Sequence, residues 1–157
     1  MKKILFVCLG NICRSPAAHG ISEFLVEKYG VESEVCIDSA GTGSYQIGKP
    51  ADVRMRSAAS QRGYGLSTIA KQLTPAMVWE SDWVIAMDRE NYRDILQIAR
   101  GEHRQLHLLG DFLGDGWPRD VPDPYYGGAD GFAYVLDMLE AACPLLLERV
   151  LGRSLAP

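Results

Sequence analysis

The chain has 157 residues, 47% of them apolar and 23% charged, and its 16 basic and 20 acidic side chains leave a net charge of −4. That is one domain's worth of chain with an ordinary globular composition, and a single domain over residues 1–157 is expected. The mild acidity excludes a generally basic nucleic-acid binder. It also argues against retention on an anionic membrane by overall charge, although local patches stay open.

No apolar run approaches the ~18 residues of a membrane span. Residues 4–9 are an apolar run behind Lys2 and Lys3, but polar Asn11 and Arg14 follow too soon for a signal peptide. The cysteines Cys8, Cys13, Cys36 and Cys143 are scattered, unlike a secreted disulfide framework. A cytoplasmic chain is expected, bound to neither nucleic acid nor membrane.

In chain order, residues 4–8 read as a strand covered on both faces. Ser15 and Pro16 mark a helix start, a capping hydroxyl before a proline. Ala18, Ile21, Leu25 and Tyr29 recur at helical spacing until Gly30 stops the helix. Residues 34–38 read as a second strand, 41–50 as a Gly-rich loop and 53–63 as a helix. Residues 83–87 read as a third strand, with an acidic helix start at Asp88, and 105–109 as a fourth. Residues 110–131 form a long loop rich in Gly, Pro and Asp, and loops of that length are commonly functional. The last helix carries Phe132, Val135, Leu136, Leu139 and Leu146 on one stripe, and Pro144 is expected to kink or split it. Cys36 and Cys143 fall on apolar faces and are expected in the core. Alternating strands and helices predict an α/β fold with a parallel sheet. Ligands of such sheets bind at the carboxyl ends of strands, which draws attention to the loop after the first one.

That loop runs Cys8-Leu9-Gly10-Asn11-Ile12-Cys13-Arg14-Ser15. Consecutive N–H groups of a curled loop make an anion nest, and the helix N-terminus behind it adds donors and positive partial charge. Arg14 brings a planar fork for two phosphate oxygens. Gly10 and Asn11 most readily take the positive φ that a curled loop needs. Cys8 lies at the base of this positive pocket, where a thiolate nucleophile is favoured. Ser15 is placed to hydrogen-bond the sulfur.

Displacing an aryl oxide needs a proton, since a phenol has a pKa of ~10. Asp123, stiffened by Pro124 in the long loop, is the candidate acid, and a bound dianion would keep its carboxyl protonated. Asp111, Asp115 and Asp120 compete for the role in the same loop. Cys13 is either a small apolar loop residue or a partner that traps oxidised Cys8 as a disulfide.

The segments from Val7 to Pro16 and from Asp123 to Tyr126 together resemble the phosphate loop and acid loop of the low-molecular-weight protein tyrosine phosphatases. Asp38-Ser39-Ala40-Gly41-Thr42 and Met87-Asp88 fit intermediate segments of that family. The resemblance implies a four-stranded parallel sheet flanked by helices, flavodoxin-like, with no metal or cofactor. It implies Cys8 as nucleophile, Arg14 as phosphate and transition-state ligand, and Asp123 as general acid and then base. Residues Leu9, Gly10, Asn11, Ile12, Cys13, Arg14 and Ser15 would bind phosphate. Asn11 would bond Ser39 to hold the loop's shape, with Ser15 assisting the thiolate, and Tyr45, Tyr125 and Tyr126 would wall the substrate cleft. The implied partners are phosphotyrosine-bearing proteins or peptides, and a monomer is expected, weak self-association being left open. His19 and Thr68 depart from the family's pattern, as Glu and His are frequent there. Gly20, inside the first helix, costs about 1 kcal/mol against Ala with no evident return.

Two alternatives share the expected fold. Arsenate reduction needs resolving cysteines, and none lies between Cys36 and Cys143. Arginine phosphatases resemble the phosphate loop but carry Thr at the position of Ile12, which here offers no hydroxyl. A phosphopeptide-binding module, the reading from another class, would need neither nucleophile nor acid.

Overall fold

A computed structural model describes residues 1–125 and 127–155. The elements follow as β1 (Lys2–Cys8), α1 (Arg14–Lys28), β2 (Val35–Gly41), α2 (Val53–Ser60), α3 (Pro75–Glu80), β3 (Trp83–Ala86), α4 (Arg89–Ala99), β4 (Leu106–Leu108) and α5 (Ala129–Leu151), with a 3-10 turn at Leu109–Phe112. The strands form one parallel sheet in the order β2-β1-β3-β4.

The alternation of side chains along β1 divides the core in two. Ile4, Phe6 and Cys8 face the cluster built with α1 and α5, and Leu5 and Val7 face the one built with α3 and α4. Both faces are covered, so β1 reads as one continuous apolar run. The strand order reverses at β1: the chain goes to one side for β2 and to the other for β3. The crevice at the carboxyl ends of β1 and β3 is therefore the topological switch point of the sheet. Cys8 ends β1, and Asp88 lies two residues beyond the end of β3.

Several local expectations change. Thr74-Pro75 is a true helix start that the sequence reading passes over: Thr74 caps α3 by accepting from the Met77 N–H at 3.2 Å. Ser15-Pro16 carries the same signal, but α1 already begins at Arg14, and its N-cap Cys13 makes no side-chain cap bond. The Ser15 hydroxyl is drawn inward by the loop instead. The helix predicted over residues 53–63 ends at Ser60, before Gly63 at φ +91°. Pro144 does not split α5, because the buried residues on either side of it keep the helix packed against the sheet. Cys143 is buried, but Cys36 is exposed, since it sits near the start of the edge strand β2 with its side chain turned away from the core. Gly20 gains its reason here: a Cβ would run into Leu66 Cδ2 and stand 3.3 Å from the Gly65 carbonyl oxygen, so the bare backbone lets that segment lie against α1.

Candidate active site

The loop between β1 and α1 is curled by hydrogen bonds to its outer carbonyls. Thr42 N–H donates to the Cys8 carbonyl at 2.9 Å, Gly43 N–H to Leu9 at 2.9 Å and Asp52 N–H to Ile12 at 2.8 Å. A planar trans peptide turns the next N–H the opposite way. The amides of Leu9, Gly10 and Cys13 are thereby directed toward the cleft that these residues line. The curl needs one left-handed residue, and it is Asn11, at φ 56°, with Gly10 remaining outside that region. Gly41, at the end of β2, lets the loop come close: a Cβ there would stand 2.7 Å from the Leu9 carbonyl oxygen and 3.1 Å from the Asn11 nitrogen.

The Cys8 sulfur is the floor of the cleft. It accepts from the Asn11 N–H at 3.3 Å and lies 3.0 Å from Ser15 Oγ. Asn11 Nδ2 donates to the same hydroxyl at 2.8 Å, while Lys71 N–H donates to Asn11 Oδ1 at 3.1 Å. The expected Asn11–Ser39 bond is therefore not made. The Asn11 side chain is spent on Ser15 and on the Lys71 backbone, and Ser39 Oγ pairs with His19 Nδ1 at 3.0 Å. His19 Nε2 in turn meets Glu23 Oε1 at 2.8 Å, one helical turn on. Of the three residues expected to support the loop, Asn11 and Ser15 touch it directly, whereas Ser39 is buried against α1. Thr68 Oγ1 is buried without a hydrogen-bond partner among the described residues.

Arg14 is 3% exposed, so its charge needs partners. Nη1 donates to Asp88 Oδ2 at 2.6 Å and to the Val121 carbonyl at 3.0 Å, and Nη2 lies 3.5 Å from Asp123 Oδ2. Burial alone would lower the Arg14 pKa, but the Cys8 sulfur, Asp88 and Asp123 outweigh it and raise the value, so the guanidinium stays charged. The contact of Asp88 with Arg14 is what the sequence reading missed. Asp88 appears there as a helix-start acid and in a family-like Met87-Asp88 segment, and it does cap α4, taking the Asn91 N–H on Oδ1 at 2.7 Å. Its other oxygen holds Arg14, a long-range contact with no local signal.

Arginine partners distinguish three of the four acids of the long loop. Asp120 is locked to Arg89, accepting from its backbone N–H at 2.9 Å and from Nη2 at 3.0 Å. Asp111 pairs with Arg119 at 3.3 Å, and Asp115 is exposed. Asp123 alone of the four lines the cleft, together with Cys8, Leu9, Gly10, Ile12, Cys13, Arg14, Tyr45, Gln46 and Tyr125. Tyr126, expected as a third wall, lies outside the described residues. Burial, then the charges of Asp52, Cys8 and Asp123, push the Cys13 thiol up to about 12. Among the described residues, no group of three or more His, Cys, Asp or Glu converges to hold a metal ion. No helix among them is long and apolar enough to cross a membrane.

A sulfur on the floor of an amide-lined loop, with a guanidinium and a carboxyl at its rim, is the build of a phosphate-handling α/β enzyme. The sequence profile of the low molecular weight phosphotyrosine protein phosphatases matches residues 3–154. A putative low molecular weight protein-tyrosine-phosphatase of Synechocystis is 45% identical over 98% of this chain and 98% of its own length. A protein tyrosine phosphatase from Entamoeba histolytica superposes with a TM-score of 0.91 at 38% identity, over 97% of this chain and 98% of that one. A Drosophila arginine phosphatase superposes with a TM-score of 0.87 at 28% identity, over 95% and 97% of the two chains.

The chain belongs to the low molecular weight phosphotyrosine protein phosphatase family, a family of hydrolases that act on phosphoric monoesters.

Proposed function

We propose that the protein hydrolyses phosphotyrosine in proteins in two steps, through a phosphorylated Cys8. In the first step the Cys8 thiolate attacks phosphorus in line with the aryl oxygen. The S–P bond forms, the P–O bond breaks, and Asp123 gives its proton to the departing phenolate. In the second step water attacks phosphorus while the ionised Asp123 takes its proton. The S–P bond breaks, orthophosphate leaves, and Ser15 donates to the returning thiolate. Arg14 bonds two equatorial oxygens of the transferring phosphoryl group, and the loop amides of Leu9, Gly10 and Cys13 share the charge. Asn11 holds the loop's left-handed turn. Tyr45 and Tyr125 flank the tyrosyl ring.

The observation that carries this reading is the convergence of Cys8, Arg14 and Asp123 on one cleft. A module that only bound phosphopeptides would need neither the sulfur nor the acid. The choice of an aryl ester rests on Ile12, an apolar wall, and on the two tyrosines. The likeness to an arginine phosphatase makes phosphoarginine the second reading. Turnover of phosphotyrosine, phosphoserine and phosphoarginine peptides separates them, and preferred hydrolysis of the phosphoarginine peptide would reverse the assignment. Cys8→Ser is expected to abolish turnover while still binding an aryl phosphate; normal turnover would discard the mechanism. We propose further that it acts in the cytoplasm as a single-domain monomer, a reading that rests on the ordinary globular composition and the scattered cysteines.

A further inference from the structure

Arg54 opens α2 at the edge of the cleft, with 45% of its side chain exposed, yet its guanidinium is engaged on several sides. Asp52 grips it as a fork, with Nε 3.1 Å from Oδ1 and Nη2 3.0 Å from Oδ2. Nη2 also donates to the Tyr125 carbonyl at 3.0 Å. The guanidinium lies 5.4 Å from the Tyr125 ring centre and 4.9 Å from that of Phe132, within cation–π range.

Both partners of Arg54 lead to the reacting centre. Asp52 is tied to the phosphate loop by its own N–H, 2.8 Å from the Ile12 carbonyl. The Tyr125 N–H donates to Asp123 Oδ1 at 3.0 Å, and Asp123 Oδ2 lies 3.5 Å from Arg14 Nη2. The contacts thus close a ring from Ile12 through Asp52, Arg54, Tyr125 and Asp123 back to the loop at Arg14. Arg54 is the link that crosses from α2 to the acid loop. A lysine has no fork to hold Asp52 while also bonding the carbonyl.

We infer that Arg54 is a positioning residue for the general acid: it sets where Asp123 stands over the sulfur. This rests on the role proposed for Asp123. A misplaced acid slows expulsion of a poor leaving group most, because a good one departs with little help from a proton.

The test compares kcat/KM, which reports the step that expels the leaving group, on phenyl phosphate and on p-nitrophenyl phosphate. R54M is expected to lower the first about tenfold and the second about twofold. D52N keeps the helix cap but loosens the fork, and is expected to shift the same ratio by about threefold. In a D123N background, R54M should leave the ratio where D123N alone puts it. An unchanged ratio in both single variants, or a loss from R54M that persists in D123N, overturns the inference while D123N keeps its own leaving-group dependence. If D123N itself shows no such dependence, the reading of Asp123 falls, and this inference with it.

Discussion

The Ser15 hydroxyl lies 3.0 Å from the Cys8 sulfur and 2.8 Å from Asn11 Nδ2. The Lys71 N–H on Oδ1 fixes the Asn11 amide, so its NH₂ faces Ser15 and can only donate. The hydroxyl oxygen accepts there, and its hydrogen is left for the sulfur. Of the two roles the sequence offers Ser15, helix cap and partner of the sulfur, the side chain takes the second.

Ser15→Ala should therefore slow the second step more than the first, because the sulfur leaves as an anion without its donor. A hydrogen bond to a charged group contributes about 1.5–3 kcal/mol, or roughly tenfold to a hundredfold in rate. Rapid-quench measurement should show a larger burst of phenol ahead of a slower steady state. A steady state slowed without a burst would contradict this assignment.

Asp88→Ala leaves a buried guanidinium short of a carboxylate, and should cost about 3 kcal/mol of stability in urea unfolding. Orthophosphate restores a counter-charge to Arg14, so it should raise Tm more in the variant than in the parent. Equal shifts would show that Asp88 does not balance Arg14.

Cys13 bears on oxidation. Burial and nearby negative charge raise its pKa from 9.0 to about 12, so it is a neutral thiol at pH 7, and iodoacetamide should leave it unmodified there. Peroxide oxidises Cys8 to a sulfenic acid, and attack by Cys13 would give a disulfide and water. Because the raised pKa withholds the attacking thiolate, disulfide formation should quicken as pH rises. Dithiothreitol should restore activity to the parent but not to Cys13→Ala; equal recovery would remove the protective role.

Gly41→Ala puts a methyl group against the backbone of the phosphate loop, which cannot swing aside as a side chain can. A loss of about 1–3 kcal/mol in urea unfolding is expected, with reduced kcat as the loop shifts. Unchanged values of both would mean that the loop has slack at this point.

The chemistry-bearing loop was legible because it is local. Cys8, Asn11, Arg14 and Ser15 fall within eight consecutive residues, and a strand before them and a helix after them leave few ways to arrange such a stretch. The buried run of β1 and the stripe on α5 were legible for a similar reason, since periodicity follows directly from which face is covered. The short helix α3 was missed because six residues are too few to show a period, although its Thr74-Pro75 start carried the capping signal.

By itself the sequence determined the parallel α/β order, the curled loop and the sulfur at its base, since each depends on neighbours in the chain. The sequence named Asp123 ahead of three competing acids, and tertiary structure brought it alone of the four to the cleft. Arg89 and Arg119 occupy Asp120 and Asp111, while Val121 and Asp123 reach Arg14 from more than a hundred residues away. It likewise turned Ser39 to His19 and gave Asp88 to Arg14. Charge pairing across a fold is settled by distance in space, and spacing along the chain carries no record of it.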